Sequence, residues 1–300
     1  MAAIAAPLKK GLTDRGWAAI LLAPALLIVV ATTIYPLVFS FDTSFRDWNL
    51  TASPRPGPYV GADNYAQAFS DDPAFWATVR ATTIFVITDV CATILAALGL
   101  ALLLLRPGPG KAALRTVLIL PFAMSPALIG ISWRFMFNPE YGAFQHGIAA
   151  VLPFMRDADW FSSPGLARTA LVSADVWHWT PYFTFMLMGG LAAIPPETQE
   201  AARIDGSGAW RVFRDVTLPQ LAPVLAVAII LKSVFALKVF DTVVTMTGGG
   251  PGTSTSTLSY FAYQIGFRDY EMGYAAAVSY LLTAVLIVLS LLYMRLIFRK

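Results

Sequence analysis

Six blocks of apolar sequence, each about as long as a bilayer is thick, govern what this chain can fold into. They run roughly over Trp17–Phe41, Ala77–Leu105, Ala113–Phe137, Thr169–Ala193, Leu221–Thr247 and Tyr274–Phe298. About 20 residues of helix cross the ~30 Å hydrocarbon layer. Lipid offers backbone N–H and C=O groups no partner, so a spanning segment must satisfy them internally as helix. With 57% hydrophobic and 13% charged residues, the chain lies far from soluble domains, in which about a quarter of residues are charged. The expected fold is therefore an all-α integral membrane protein with six transmembrane helices, forming one domain over residues 1–300.

The first block follows Lys9, Lys10 and Arg15, as a secretory signal would. Its apolar stretch is too long for one, and Tyr35-Pro36 replaces a small-residue cleavage site, so it is expected to be retained. Basic residues cluster at alternate ends of the spans: Lys9, Lys10, Arg15; Arg106, Lys111, Arg115; Arg203, Arg211, Arg214; Arg295, Arg299, Lys300. By the positive-inside tendency both termini and the 194–220 segment face the cytoplasm. The opposite loops, 42–76, 138–168 and 248–273, hold most of the acids, with Asp63, Asp71 and Asp72 available to an external partner. The net charge of +3 is thus a topology signal, and no basic-aromatic patch points to nucleic acid.

Catalytic and nucleotide motifs are missing. Gly110-Lys111 would need Gly at 105 and Ser or Thr at 112 to form a phosphate loop, but Leu105 and Ala112 stand there. His146 and His178 have no second ligand at metal spacing, and the lone Cys91 reads as an apolar filler. No enzyme activity, metal or cofactor is expected of this chain.

Ionisable residues inside spans are costly and so are functional candidates. They are Asp89, Asp175, Lys232, Lys238 and Asp241. Asp175, Trp179, Tyr182 and Met186 fall on one helical face, where rings could stack on a sugar while a carboxylate takes its hydroxyls. A helix–helix seam would look the same. Lys238 and Asp241, three apart, could pair with each other or meet a ligand, and Lys232 is expected to pair with Asp89 or a neighbouring subunit. Pro24, Pro36, Pro121, Pro126 and Pro181 are expected to kink their spans, and Gly189 and Gly190 to allow close packing.

Between the fourth and fifth spans lies a polar run, EAARIDGSGAWRVFRDVTLPQLAP, over residues 200–223. A short helix over 197–204, a left-handed stop at Gly206, a second helix over 209–216 and a turn at Pro219 and Pro223 would make a compact knob. An amphipathic connector in the lipid interface, anchored by Trp210 and Arg211, is the plain alternative. Glu200-Ala201-Ala202, Asp205-Gly206, Phe213, Leu218-Pro219 and Pro223 resemble the EAA loop of ATP-binding-cassette importer permeases. The runs Tyr59–Tyr65, Asp175–Pro181, Phe240-Asp241 and Thr247–Pro251 resemble the carbohydrate branch of that family. Within it they resemble the subunit type related to the larger maltose permease chain and the glycerol-phosphate permease. Ser207 departs from the commoner alanine, and the maltose chain's large extracytoplasmic insertion is missing.

The resemblance implies an importer permease in a bacterial inner membrane. Glu200, Ala201, Ala202, Asp205 and Gly206 would form a coupling helix seated in an ATPase subunit. Partners would be a second permease, two copies of the ATPase holding ATP and Mg, and an extracytoplasmic solute-binding protein. The cargo would be a sugar, polyol, oligosaccharide or glycerol phosphate. A stand-alone secondary transporter or channel relaying ions through Asp89 and Lys232 is the alternative.

Overall fold

The computed structural model describes residues 14–105 and 108–297, and they are mostly helical, with two isolated β-bridges, Arg46 to Tyr59 and Asn49 to Glu271. The expected basic residues Lys9, Lys10, Arg106, Arg299 and Lys300 lie outside the described residues. Four helical stretches are long and apolar enough to cross a membrane: Leu21–Thr43, Pro73–Leu105, Ala209–Leu237 and Met272–Arg295. A bent pair, Lys111–Ala123 with Pro126–Met136, makes a fifth. Pro164–Ala192, where the fourth span was expected, has 29 residues, but Asp175, His178 and its aromatic and hydroxyl residues dilute its apolarity.

Three expectations are corrected. The third span is not one straight helix, because its halves meet at 102°. Pro126 restricts the residue before it, and both Met124 (ψ 146°) and Ser125 (ψ 143°) are extended. The Ser125 hydroxyl then accepts from Leu128 N at 3.4 Å and starts the new helix. The fifth span ends at Leu237, well short of Thr247, and no Pro or Gly marks the break. The carbonyls freed there are met by hydroxyls, Thr257 Oγ1 donating to Val239 O at 2.9 Å and Ser259 Oγ to Leu237 O at 3.5 Å. These hydroxyls belong to the third surprise, a helix over Leu258–Phe267 inside what reads as an outer loop.

Prolines are absorbed differently from expectation. Pro36 and Pro219 neither break nor turn the chain, since each is preceded by a π turn, at Val30–Ile34 and Phe213–Thr217. A proline ring clashes with the carbonyl four residues back, here Thr32 and Asp215, and the wider turn makes room for it. Helix therefore runs unbroken from Ala209 to Leu237.

Pro73–Leu105 packs along Pro164–Ala192 as the central pair, sealed by Phe85, Ile94, Ala97, Ala170, Leu171, Phe183 and Leu187. At 33 residues the first of these is about 50 Å long at ~1.5 Å per residue, and so outreaches the hydrocarbon layer. Asp72 is committed to its start, accepting from Ala74 N at 2.8 Å, and also takes the Tyr274 hydroxyl at 2.6 Å. Asp63 and Asp71 remain exposed. The first span, by contrast, is bare of protein along its length, touching the rest mainly where Tyr280 meets Ser40, Leu37 and Phe41.

Of the glycines expected to allow close packing, Gly190 does so against Leu221 and Val224, whereas Gly189 faces open space. A tighter approach is at Gly130, where a Cβ would stand 1.9 Å from Thr245 Oγ1 and 3.2 Å from Thr242 O. Gly130→Ala is expected to lower stability by about 1–3 kcal/mol through overpacking, and Gly189→Ala to raise it by up to about 1 kcal/mol. Thermal unfolding of the purified chain in mild detergent checks both.

Candidate functional site

The central helix pair and the fifth span meet at three charged side chains. Lys232 Nζ lies 2.5 Å from Asp175 Oδ2 and 2.6 Å from Asp89 Oδ2. Lys232 and Asp89 are wholly buried and Asp175 nearly so. The expected Asp89–Lys232 pair is present, and Asp175 joins it. Asp175 keeps the helical face it shares with Trp179, but its carboxyl is engaged by Lys232. Thr93 Oγ1 donates to Asp89 Oδ1 at 3.3 Å.

The rings on that face do come together. Trp179 stacks on Phe235 with centroids 4.4 Å apart, and Tyr182 stacks on Phe122 at 5.4 Å. Lys232 Nζ lies 5.8 Å from the Trp179 ring, so the buried charge supports the aromatic layer from behind. Tyr182 and Met186, with Ile119, Phe122, Pro181 and Phe185, line a cleft of about 400 Å³. Trp179 and Tyr182 are half-buried, as stacking platforms open on one side would be.

His178 had been considered only as a metal ligand. It is buried, and its Nδ1 lies 3.0 Å from Pro121 O. A carbonyl only accepts, so Nδ1 carries the hydrogen, and the bond ties the fourth span to the bend of the third. No group of metal-ligating side chains occurs among the described residues.

Lys238 and Asp241 do not pair. Lys238 caps the end of one helix and Asp241 opens the next turn, so helical spacing does not apply between them. Both are exposed, and among the described residues neither joins an ion pair. Two arginines also lie within the apolar blocks, Arg80 and Arg134, and both are exposed, the latter 6.0 Å over the Phe161 ring. Their signal, a charge within an apolar block, was the one used for the other five.

The polar segment has one elbow rather than two. Pro196–Ile204 is helical, and Gly206 (φ 83°) ends it with Gly206 N donating to Arg203 O and Ser207 N to Ala202 O, both at 3.0 Å. This paired closure needs a left-handed residue, which glycine adopts without a Cβ penalty. From Ala209 the chain is already in the fifth span. Glu200, Ala201, Asp205 and Gly206 are exposed and Ala202 is half-buried. Ile204 (86% exposed) and Trp210 (69%) stand uncovered beside them.

Residues 90–300 match the family described as binding-protein-dependent transport system inner membrane component. The chain belongs to that family. As such an inner membrane component it is a multi-pass transport subunit and not an enzyme, which bears out the resemblance read from its motifs. It is 35% identical to the sulfoquinovosyl glycerol transport system permease protein SmoG of Agrobacterium fabrum, covering 96% of this chain and 92% of that one. It is 34% identical to the trehalose/maltose transport system permease protein MalF of Thermococcus litoralis, with 92% of each covered. The trehalose transport system permease protein SugA of Mycobacterium tuberculosis is 31% identical over 95% of this chain and 90% of its own. In fold the chain is similar to a bacterial ABC transporter involved in import of the acidic polysaccharide alginate. The TM-score is 0.81 at 18% identity, over 95% of this chain and 96% of that one.

Lys232→Met leaves two buried carboxyls without their cation and is expected to cost this permease about 3–5 kcal/mol. Lys238→Met, at an exposed unpaired site, should change stability by no more than about 0.5 kcal/mol. Equal losses in unfolding temperature for the two variants would contradict the buried cluster.

Proposed function

We propose that this chain is one of two transmembrane subunits of an ATP-driven importer for a sugar or related solute. Two copies of a separate ATPase energise it, holding the ATP and Mg, and an extracytoplasmic solute-binding protein feeds it. Support comes from family membership together with relatives whose names specify sulfoquinovosyl glycerol, trehalose and maltose. In this reading both termini and the 196–207 elbow face the cytoplasm, as the basic residues suggest.

The observation that carries the coupling role is the uncovered elbow. Glu200 projects from a short helix closed rigidly at Gly206 and joined through Ala209 to an unbroken span. Gln220 Nε2 donates to Thr198 Oγ1 at 3.4 Å, a further tie between elbow and span. A push on the helix therefore moves the span with it. A groove of the ATPase would cover Ile204 and Trp210 and offer a cation to Glu200. Closure of the two ATPases would then swing the spans between inward- and outward-facing states.

Trp179 and Tyr182 are the stacking platforms proposed for the sugar, with Lys238 and Asp241 as exposed polar contacts at the broken end of the fifth span. Asp175 is proposed only as their support, through Lys232. The reading of Asp89 and Lys232 as an ion relay has less to recommend it, since two carboxyls already hold Lys232.

Glu200→Ala is expected to leave folding and assembly intact and to abolish ATP hydrolysis stimulated by loaded binding protein. Normal stimulated turnover in that variant would overturn the coupling assignment. Trp179→Ala removes a stacking platform worth about 1.5 kcal/mol and should raise the solute concentration for half-maximal uptake about tenfold. Uptake into vesicles holding the assembled complex checks it.

A further inference from the structure

The Asp89–Lys232–Asp175 cluster does not balance when all three groups are ionised: two carboxylates and one ammonium leave a negative charge in the core of the spans. Lys232 and Asp89 are at 0% exposure and Asp175 at 4%. Partner chains could only bury them further. A buried charge without a counter-charge is among the costliest arrangements a protein can hold.

No second cation supplies the balance among the described residues. Lys232 is the sole basic partner of either carboxyl, and Arg80, Lys111, Arg115, Arg168 and Arg295 on the packed helices form no ion pair with them. His178, one turn from Asp175, spends its Nδ1 hydrogen on Pro121 O. Thr93 donates to the other oxygen of Asp89, and Ser233 and Tyr293, bonded at 3.3 Å, are neutral.

The hydrogen bonds are also incomplete. Lys232 donates to Asp175 Oδ2, whereas Asp89 Oδ2, although 2.6 Å from the same Nζ, is buried without a hydrogen-bond partner. Two carboxyl oxygens held 2.5 and 2.6 Å from one nitrogen stand at most about 5 Å apart. Carboxyls this close and this buried disfavour ionising together.

We propose that this cluster is a one-proton site. Asp89 and Asp175 hold a single proton between them beside the Lys232 ammonium, so that the three side chains are together neutral. The proton comes from solvent hydronium: one carboxyl O–H bond forms, one hydronium O–H bond breaks, and water is released. The site joins Pro73–Leu105, Pro164–Ala192 and Ala209–Leu237, so helix movements that part the carboxyls must leave the proton on one and Lys232 with the other. The proposal stands on the cluster alone and does not depend on the solute.

Infrared spectroscopy tests it on the assembled complex, with only this chain labelled at the aspartate carboxyl carbon and the partner subunits unlabelled. At neutral pH the wild type should show a protonated-carboxyl C=O stretch that shifts with the label. Asp89→Asn and Asp175→Asn should each abolish it, because the remaining carboxylate and Lys232 already balance. Absence of a label-sensitive band in the wild type, or its full persistence in either variant, overturns the proposal. The wild-type spectrum decides against it without either variant, so poor folding of one does not shield it.

Discussion

One lysine fixes the arrangement of the membrane core. Lys232 reaches from the fifth span between the second and fourth and is gripped by Asp89 and Asp175 at 2.6 and 2.5 Å. In hydrocarbon such groups have no water to fall back on, so the helices bearing them are held at one depth and one rotation. Leu and Ala contacts pack equally well after a small slide, whereas a buried ammonium with two acceptors does not. The aromatic layer inherits this precision, since Trp179 lies one turn from Asp175 and Phe235 three residues from Lys232.

The second constraint is that every interruption of helix within the spans needs local partners. The 102° bend has Ser125 capping one side and His178 holding a carbonyl on the other. The break after Leu237 is met by Thr257 and Ser259. At Gly249 (φ 81°) the chain folds over the Tyr260 ring, where a Cβ would lie 2.5 Å from Cε1. One end of the fold is thus a set of short helices and turns anchored by hydroxyls, while long continuous helix runs to the other.

How far the sequence could be read follows from this division. Apolar blocks made the all-helical membrane fold legible, and Gly206 made the first half of the elbow legible, its short helix and left-handed stop. The Lys232–Asp89 pair was legible because a mid-span lysine must find an acid. That Asp175 would share the same lysine was not, since the helix lying opposite a face cannot be read from that face's own residues. The break at Lys238 was hidden because no Pro or Gly marks it and its stabilising hydroxyls lie some twenty residues on. Pro219 misled for the opposite reason, as a π turn absorbs it and leaves no trace in composition.

Lipid covers apolar side chains along the spans, but this chain also leaves apolar side chains uncovered beside its elbow. The first span is bare of protein, and Ile204 and Trp210 flank an exposed acidic elbow. The measurement that bears most directly on the account is the intact mass of the complex purified in mild detergent from its native membrane through a tag on this chain. The account predicts one further permease and two ATPase copies. A lone chain or a homodimer that still transports solute would contradict it.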